Sequence, residues 1–485
     1  KHMSMKEDIK PQGNDKILFG FILSVLTFWL FANSMMSIAS VIGKDLGIAS
    51  NSMNTAVSLA ALFSGIFVVV MGGLADSIGR AKILRIGLYL SIAGSLLIAA
   101  APSGALAQPM VLVGRILQGF SAACIMPTSL GMVKILWEGP AQQRAISFWS
   151  MGTFGGSGFS ALIAGVITTN LGWRWVFILS ILVAIASLWM LKDLPETKKE
   201  SKEKYKFDWA GVVIFMVAML CFELLLTEGG SLGWTSITTI ALFLGAVIGF
   251  YIFYKVETKS KIAFFDFSLF KNKVFSGAIA CNFLMNATAG LITVGLPLMQ
   301  SAAGYSAQDT GLLTLGYALS VVLFIRVGEK LMRKLGARKP MVWGSLIVAT
   351  ALILLTQTYL MTSTYRILML IAFTLFGTGL AFFATPATTA ALSNLPMAQS
   401  GSGAGIFKMA SSLGAGLGIA IAASIYTGIS KTTEVGDWAS YIFMGRQDNV
   451  NFRLAATIAL ATLMVFALMS AYIANKKIPK DGGKK

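Results

Sequence analysis

Fourteen apolar stretches, each about 20 residues long, run along most of this 485-residue chain. A hydrocarbon core about 30 Å thick needs about 20 helical residues to cross it. Each stretch should be an α-helix, because a helix satisfies its own backbone hydrogen bonds in lipid. The spans are predicted at 17–42, 52–75, 83–101, 108–135, 145–169, 174–192, 208–227, 234–256, 275–302, 309–329, 339–357, 364–389, 401–428 and 452–474.

The composition excludes several classes of protein. Charged residues make up 12% of the chain, against about 25% in soluble domains, and the mean hydropathy is +0.74. The one histidine, His2, lies in a segment interpreted as a vector remnant, so histidine-based catalysis and histidine-ligated metal are not expected. Cys124, Cys221 and Cys281 fall inside apolar spans, as small buried hydrophobes do. We therefore predict no enzyme activity and no metal or cofactor.

The net charge of +18 is explained by membrane topology. With the N-terminus in the cytoplasm, the inner segments hold 31 of the 39 Lys and Arg residues, and the outer segments hold six. Lys and Arg concentrate on the cytoplasmic side of membrane proteins. The bias predicts a multi-pass membrane protein with both termini cytoplasmic, and no nucleic-acid partner is required.

The chain divides into six, two and six spans. Polar inner segments at 192–206 and 255–273 bracket a helix pair, and Pro127 in the fourth span recurs 259 residues later as Pro386. Six-helix halves in parallel repeat are a transporter architecture, with substrate bound between them near the midplane. The predicted domains are a terminus at 1–16, a bundle at 17–192, linkers at 193–274 carrying the inserted pair (208–256), a second bundle at 275–474 and a tail at 475–485.

The segment GGLADSIGRAK (72–82) joins the second and third spans. Its glycines allow a tight turn and close helix approach. Asp76 can accept from helix N-terminal amides and pair with a cation, and Arg80 lies one turn later. The segment is interpreted as a conformational latch, and an ordinary charged turn is the alternative.

Buried charges supply the other gating and coupling candidates. Arg115 lies in the fourth span, where a guanidinium is costly and usually functional, although snorkelling is the alternative. Glu223, in the inserted pair, is either a proton carrier or a structural partner at a helix interface. Asp76, Asp309 and Glu329, at helix ends, are further candidate carriers.

A substrate pocket is predicted around Lys408 in the thirteenth span, which matches Trp149 in the repeat. A lysine facing a water-filled cavity attracts carboxylates, and a helix-end lysine reaching the cytoplasm is the alternative. Aromatic, methionine and amide side chains complete the pocket. The other predicted members are Phe28, Trp29, Asn33, Met126, Phe154, Asn282, Met285, Asn286, Tyr317, Phe383 and Phe407.

Several motifs resemble those of a known family. The 72–82 segment resembles G-x-L-A-D-R-x-G-R-K of the major facilitator superfamily, and RILQGFSAA (115–123) resembles its fourth-helix motif. WRWVF (173–177) and LPET (194–197) resemble the fourteen-helix drug–proton antiporters. FWLFA (28–32), SAACIMP (121–127), RVGEKL (326–331) and FKMASSLG (407–414) resemble the staphylococcal Nor-type quinolone exporters.

The resemblance implies an all-α major facilitator fold with fourteen transmembrane helices, arranged 6+2+6. It implies proton-coupled export of amphipathic small molecules such as quinolones by alternating access across the bacterial plasma membrane, with the proton gradient in place of a cofactor. We expect a monomer whose partners are substrate, protons and membrane lipid. The first span carries Asn33 where an acid is usual, and the fifth lacks the usual Gly-Pro pair. An exporter of an anionic lipid, fatty acid or siderophore, or a facilitator without antiport, therefore stays open as an alternative.

Overall fold

The computed structural model describes residues 13–198, 205–305, 309, 312–430 and 449–481. The predicted vector remnant, and nearly all of the polar outer segment at 429–451, lie outside the described residues. Within those residues the secondary structure is helical, with no strand.

Fourteen long helices follow one another along the described chain. They are α1 Asp15–Leu46, α2 Ser50–Ile78, α3 Arg80–Ala99, α4 Ala107–Leu136, α5 Gly139–Asn170, α6 Arg174–Met190, α7 Trp209–Leu232, α8 Ile237–Lys259, α9 Lys273–Ala303, α10 Leu315–Leu335, α11 Arg338–Leu355, α12 Thr362–Ser393, α13 Ser400–Ser430 and α14 Val450–Lys477. Twelve of them, in the part of the chain described, are long and apolar enough to span a membrane, whereas α6 is shorter and α10 more polar. The predicted all-α membrane fold is confirmed, with twelve to fourteen apolar helices.

The largest difference from the predicted boundaries is in α10. The sequence predicts a span at 309–329, whereas the helix runs from Leu315 to Leu335. Charged side chains in its last turns pair with each other: Glu329 forms ion pairs with Arg326 and Arg333. Because these charges are compensated, the helix continues through a stretch whose polarity suggested a loop.

Helices α1–α6 pack as one bundle and α9–α14 as a second. Between the bundles, α2 lies against α13 on one side and α5 lies against α10 on the other. These contacts are related by the repeat, in which α2 corresponds to α10 and α5 to α13. The turns that follow α2 and α10 also match, since Gly79 and Gly336 both have positive φ (128° and 87°).

The inserted helices α7 and α8 pack against each other, and α7 also packs against α2 and α13. The pair therefore lies beside the bundles, as expected, and specifically covers the α2–α13 seam. Asp208 begins α7 by accepting a hydrogen bond from the Gly211 amide (3.0 Å), and Ser236 begins α8 in the same way through Thr239.

Two helices depart from α geometry at the centre of the first bundle. α1 contains a π-helical turn at Thr27–Phe31, and α5 contains one at Met151–Gly155. The two turns contact each other. Such π turns release backbone groups from the regular ladder and are frequent at functional sites.

Candidate functional site

The Lys408 ammonium lies in the interior of the protein, between two tryptophan rings. Its Nζ is 5.7 Å from the centroid of Trp29, on α1, and 5.2 Å from that of Trp149, on α5. Lys408 is eight residues into α13, about 12 Å from the helix start at 1.5 Å per residue. Since its cation faces indoles of the other bundle, the interpretation as a helix-end lysine is not supported by this geometry.

Both tryptophans are fixed by partners on α4. The Trp29 indole N–H points at Met126 Sδ (3.4 Å), and the Trp149 N–H donates to Ser129 Oγ (2.9 Å). Sequence reasoning missed Ser129, which follows the Pro127 that marked the repeat. The π turn of α1 includes Trp29, so irregular backbone helps to place that ring.

Amide side chains from α9 brace the same turn of α13. Asn282 Nδ2 donates to the Phe407 carbonyl (2.8 Å) and to Ser411 Oγ (2.7 Å). Asn286 in turn donates to the Asn282 side-chain oxygen (3.0 Å). Lys408, Trp29, Trp149 and Met126 are thus brought together, and Asn282, Asn286 and Phe407 lie at the adjoining turn of α13.

Of the remaining predicted pocket residues, Phe28 also contacts the site, since its ring packs edge-on against Trp29 with the centroids 5.2 Å apart. Phe154 and Tyr317 pack against one buried cluster at the α5–α10 contact. Phe383 lies against Gly344 of α11, inside the second bundle. Phe28 and Met285 are part of the buried core, and Asn33 is half-buried near the π turn of α1.

The Lys408 site can hold an anion. Lys408 has no carboxylate within 4.0 Å among the ion pairs of the described residues. A cation in an interior without a counter-ion is costly, and a bound carboxylate or phosphate would offset that cost. The indole faces of Trp29 and Trp149 add apolar area for an aromatic group beside that anion.

Asp76 joins the two bundles at one end of the protein. Its carboxylate accepts from the Gly401 N–H (2.7 Å) and the Ser402 N–H (2.8 Å) at the start of α13. Arg80 Nε donates to the same carboxylate (2.8 Å), and Arg80 also reaches the Met397 carbonyl (3.2 Å). Asp76 meets both kinds of partner that the sequence indicated, although its gating role stays a prediction.

Two further contacts join the bundles toward this end, which we call the Asp76 end. The buried Lys134 at the end of α4 donates to the Leu392 carbonyl of α12. Ser147 and Thr385 hydrogen-bond across the bundles (2.9 Å). Sequence reasoning missed all of these residues, because neither a helix-end lysine nor two hydroxyls carry a distinctive pattern.

Glu329 supports the matching contact between α10 and α5. It is fully buried and ion-paired with Arg326 and Arg333. Arg333 then donates to Gln143 Oε1 (3.2 Å) and to the Pro140 carbonyl (2.9 Å) at the start of α5. Glu329 therefore orients an arginine that bridges the bundles at the Asp76 end.

Arg115 is bound by backbone carbonyls of two neighbouring helices. Its guanidinium donates to Ala32 O (2.7 Å) on α1 and to Ala56 O (2.8 Å) on α2. Gln118 on the next turn accepts a further hydrogen bond (2.7 Å). Arg115 is only 3% exposed, so it does not snorkel, and its geometry is that of a cross-link between α1, α2 and α4.

The two remaining candidates lie outside the central site. Glu223 is on the face of α7 that meets α2: a Cβ added at Gly65 would lie 2.7 Å from its Oε1. Asp309 is exposed. Glu223 therefore lies at the α2–α13 seam, and Asp309 lies on the protein surface.

The comparison with protein families identifies this architecture. The model of the Major Facilitator Superfamily matches residues 17–275 and again 276–484. The chain belongs to this superfamily. It is therefore a membrane transporter with a small-molecule substrate, and not an enzyme.

Curated relatives and solved structures agree with this assignment. The chain is 42% identical over 424 residues to the Quinolone resistance protein NorB of Staphylococcus aureus strain MRSA252, covering 87% of this chain and 91% of the relative. NorB of strain JH9 matches equally well. The fold is similar to the proton:xylose symporter XylE (TM-score 0.61, 14% identity, 97% of each chain) and to the human organic anion transporter MFSD10 (0.57, 14%, 95% and 98%). The structural matches show the fold alone.

Proposed function

We propose that this protein exports amphipathic small molecules that carry a carboxylate, such as quinolones, across the bacterial plasma membrane. The observation that carries the proposal is the Lys408 ammonium held between the rings of Trp29 and Trp149. A quinolone offers a carboxylate for the lysine and a flat aromatic system for the indoles. The similarity to NorB, named for quinolone resistance, supports the same substrate class.

Transport proceeds by alternating access in this proposal. The Lys and Arg bias places the Asp76 end at the cytoplasm, with both termini on that side. The hydrogen bonds of Asp76, Lys134 and Arg333 then hold the cytoplasmic end shut. Cytoplasmic opening requires these bonds to break, so that substrate reaches Lys408 from inside.

The inward proton gradient is the proposed energy source, since each charge that crosses yields about 2.3 kcal/mol per 100 mV. Glu223 is the candidate carrier that lies deepest in a span, and it faces α2, which forms part of the moving seam. Asp76 and Glu329 are the alternatives, because both carboxylates hold contacts that must change when the cytoplasmic end opens.

The test is norfloxacin efflux from proteoliposomes under an imposed pH gradient. Lys408→Ala should abolish gradient-driven norfloxacin flux, while Lys408→Arg should keep part of it because the charge is retained. Glu223→Gln should uncouple flux from the gradient if Glu223 carries the proton. Glu228→Gln, an exposed acid on the same helix, is the matched control and should behave as wild type.

Lys408→Ala with undiminished norfloxacin flux would refute the anion site. Folded wild-type protein without any norfloxacin flux would instead favour the second candidate, export of an endogenous anionic lipid, fatty acid or siderophore. The Lys408 cation, which has no ion-pair partner among the residues described, favours that candidate as well, since it selects for a negative charge rather than for a drug. Flux that ignores the pH gradient would indicate a facilitator without antiport.

A further inference from the structure

Two carboxyl groups meet inside the inserted helix pair, away from the substrate site. Asp208, at the start of α7, is 4% exposed, and Glu257, near the end of α8, is 3% exposed. A Cβ added at Gly211 would meet Oδ2 of Asp208 and Oε2 of Glu257 (2.6 Å), so the two oxygens face the same small space. The side chains are close enough to share a hydrogen bond.

Each carboxyl uses its other oxygen to hold backbone. Asp208 Oδ1 accepts from the Gly211 N–H (3.0 Å), and Glu257 Oε1 accepts from the Phe265 N–H (3.4 Å). The two facing oxygens, Asp208 Oδ2 and Glu257 Oε2, have no hydrogen-bond donor among the described residues. Two ionised carboxylates are acceptors only, so neither can satisfy the other.

Within the part of the chain that the structure describes, no positive charge pairs with these two carboxyl groups. No Lys or Arg nitrogen of the described residues forms an ion pair with either carboxylate within 4.0 Å. Tyr205 is the titratable neighbour on the preceding segment, and the Asp208 carboxylate adds to burial in raising the pKa of its phenol. The other charged groups on the adjoining segments are Lys206, Lys255, Lys259, Lys261 and Asp266.

We propose that Asp208 and Glu257 form a proton-binding site that holds one proton between them. The shared proton turns two facing acceptors into a donor and an acceptor. Its loss leaves two buried negative charges side by side, which burial and like-charge repulsion both oppose. The protonated pair is therefore the form that holds Glu257 against the backbone of the segment that follows α8.

That segment leads directly to the Asp76 end. Phe265 is buried, and the Phe264 carbonyl lies against Gly73 of α2, 3.4 Å from where a Cβ would be. Asp266 Oδ2 accepts from Gln399 Nε2 (2.7 Å), one residue before α13 begins. The proton site thus joins the inserted pair to both helices that Asp76 connects. Deprotonation removes one hold of α8 on the 262–267 segment and leaves the ring contacts of Phe253 with that segment.

The first test is a difference infrared spectrum of the full-length protein in lipid nanodiscs near neutral pH. Wild type minus Glu257→Gln should show the C=O stretching band of one protonated carboxylic acid. Glu228→Gln, which removes an exposed acid from α7, should show no such band. Absence of the band from the Glu257→Gln difference would overturn the proposal.

The second test follows backbone amide exchange in the 262–267 peptide as a function of pH, corrected for intrinsic rates. One proton is released on opening, so in wild type protection should fall up to about tenfold per pH unit over the pH range in which the shared proton is lost. Glu257→Gln keeps a donor toward Asp208 and should remove this pH dependence. Asp208→Asn, which retains the helix cap, is the second variant should Glu257→Gln not fold. Protection in wild type that does not change with pH would overturn the proposal, and neither readout depends on transport.

Discussion

Asp76→Asn should open the Asp76 end of this transporter. The carboxylate accepts two hydrogen bonds that cross between the bundles, from Gly401 and Ser402, and one from Arg80. Hydrogen bonds to a charged group contribute about 1.5–3 kcal/mol each. An asparagine keeps one acceptor oxygen but turns an NH₂ group toward the second amide, so it loses the charge and one crossing bond.

The expected loss is about 3 kcal/mol of closed-end stability, or about 100-fold in the ratio of closed to open protein, at about 1.4 kcal/mol per factor of ten. Spin labels at the exposed positions Lys82 and Lys330, on opposite bundles, report the separation at this end. The three native cysteines are replaced first, so that only these positions are labelled.

In wild type the distance distribution should be dominated by one short population, and in Asp76→Asn a longer one should become the major form. Asp193→Asn is the control, because this substitution removes the same charge from the same bundle at a side chain that is 76% exposed. A distance distribution that is the same in Asp76→Asn and wild type would refute the inference that Asp76 stabilises the closed conformation at this end.

Three further predictions concern contacts seen in the same structure. Arg333→Gln should lengthen the same spin-label distance, and should add to Asp76→Asn because the two contacts lie on opposite seams. Arg115→Lys should lower the melting temperature in detergent by several degrees, since an ammonium cannot donate to carbonyls of two helices at once; an unchanged melting temperature would argue for a coupling role instead. Gly158→Val should slow substrate flux without loss of expression, because a Cβ there lies 2.9 Å from that of Ala318; undiminished flux would show that this α5–α10 approach is dispensable.

Much of the fold could be predicted from the sequence, for a physical reason. Lipid requires continuous apolar helices, so twelve of the fourteen helices begin and end within five residues of their predicted spans. The exceptions are α5, which begins six residues early, and α10, which is displaced by six residues at both ends. α10 carries charges that pair around Glu329, and a hydropathy average does not take account of such pairing.

The site was predicted in part. Lys408 and the two tryptophans have individually conspicuous chemistry, and the repeat offset paired Lys408 with Trp149. The π turn that places Trp29 has no sequence signature, because it depends on packing between α1 and α5. Sequence reasoning missed Ser129, Lys134 and Thr385. Their hydrogen-bond partners are distant in the sequence, and the partner of Lys134 is a backbone carbonyl, so no local pattern marks these contacts.

The position of α7 makes the two seams between the bundles differ in their exposure to the surrounding lipid. In a two-bundle carrier, a hydrophobic molecule dissolved in the bilayer has two sideways routes to the centre, one along each seam. Here α7 stands in front of the α2–α13 seam, whereas among the described residues no inserted helix stands in front of α5 and α10. A compound dissolved in the membrane is therefore blocked by α7 at the α2–α13 seam, whereas no inserted helix blocks its approach to the α5–α10 seam. Lateral access from the bilayer is thus asymmetric, although the two bundles are related by a repeat.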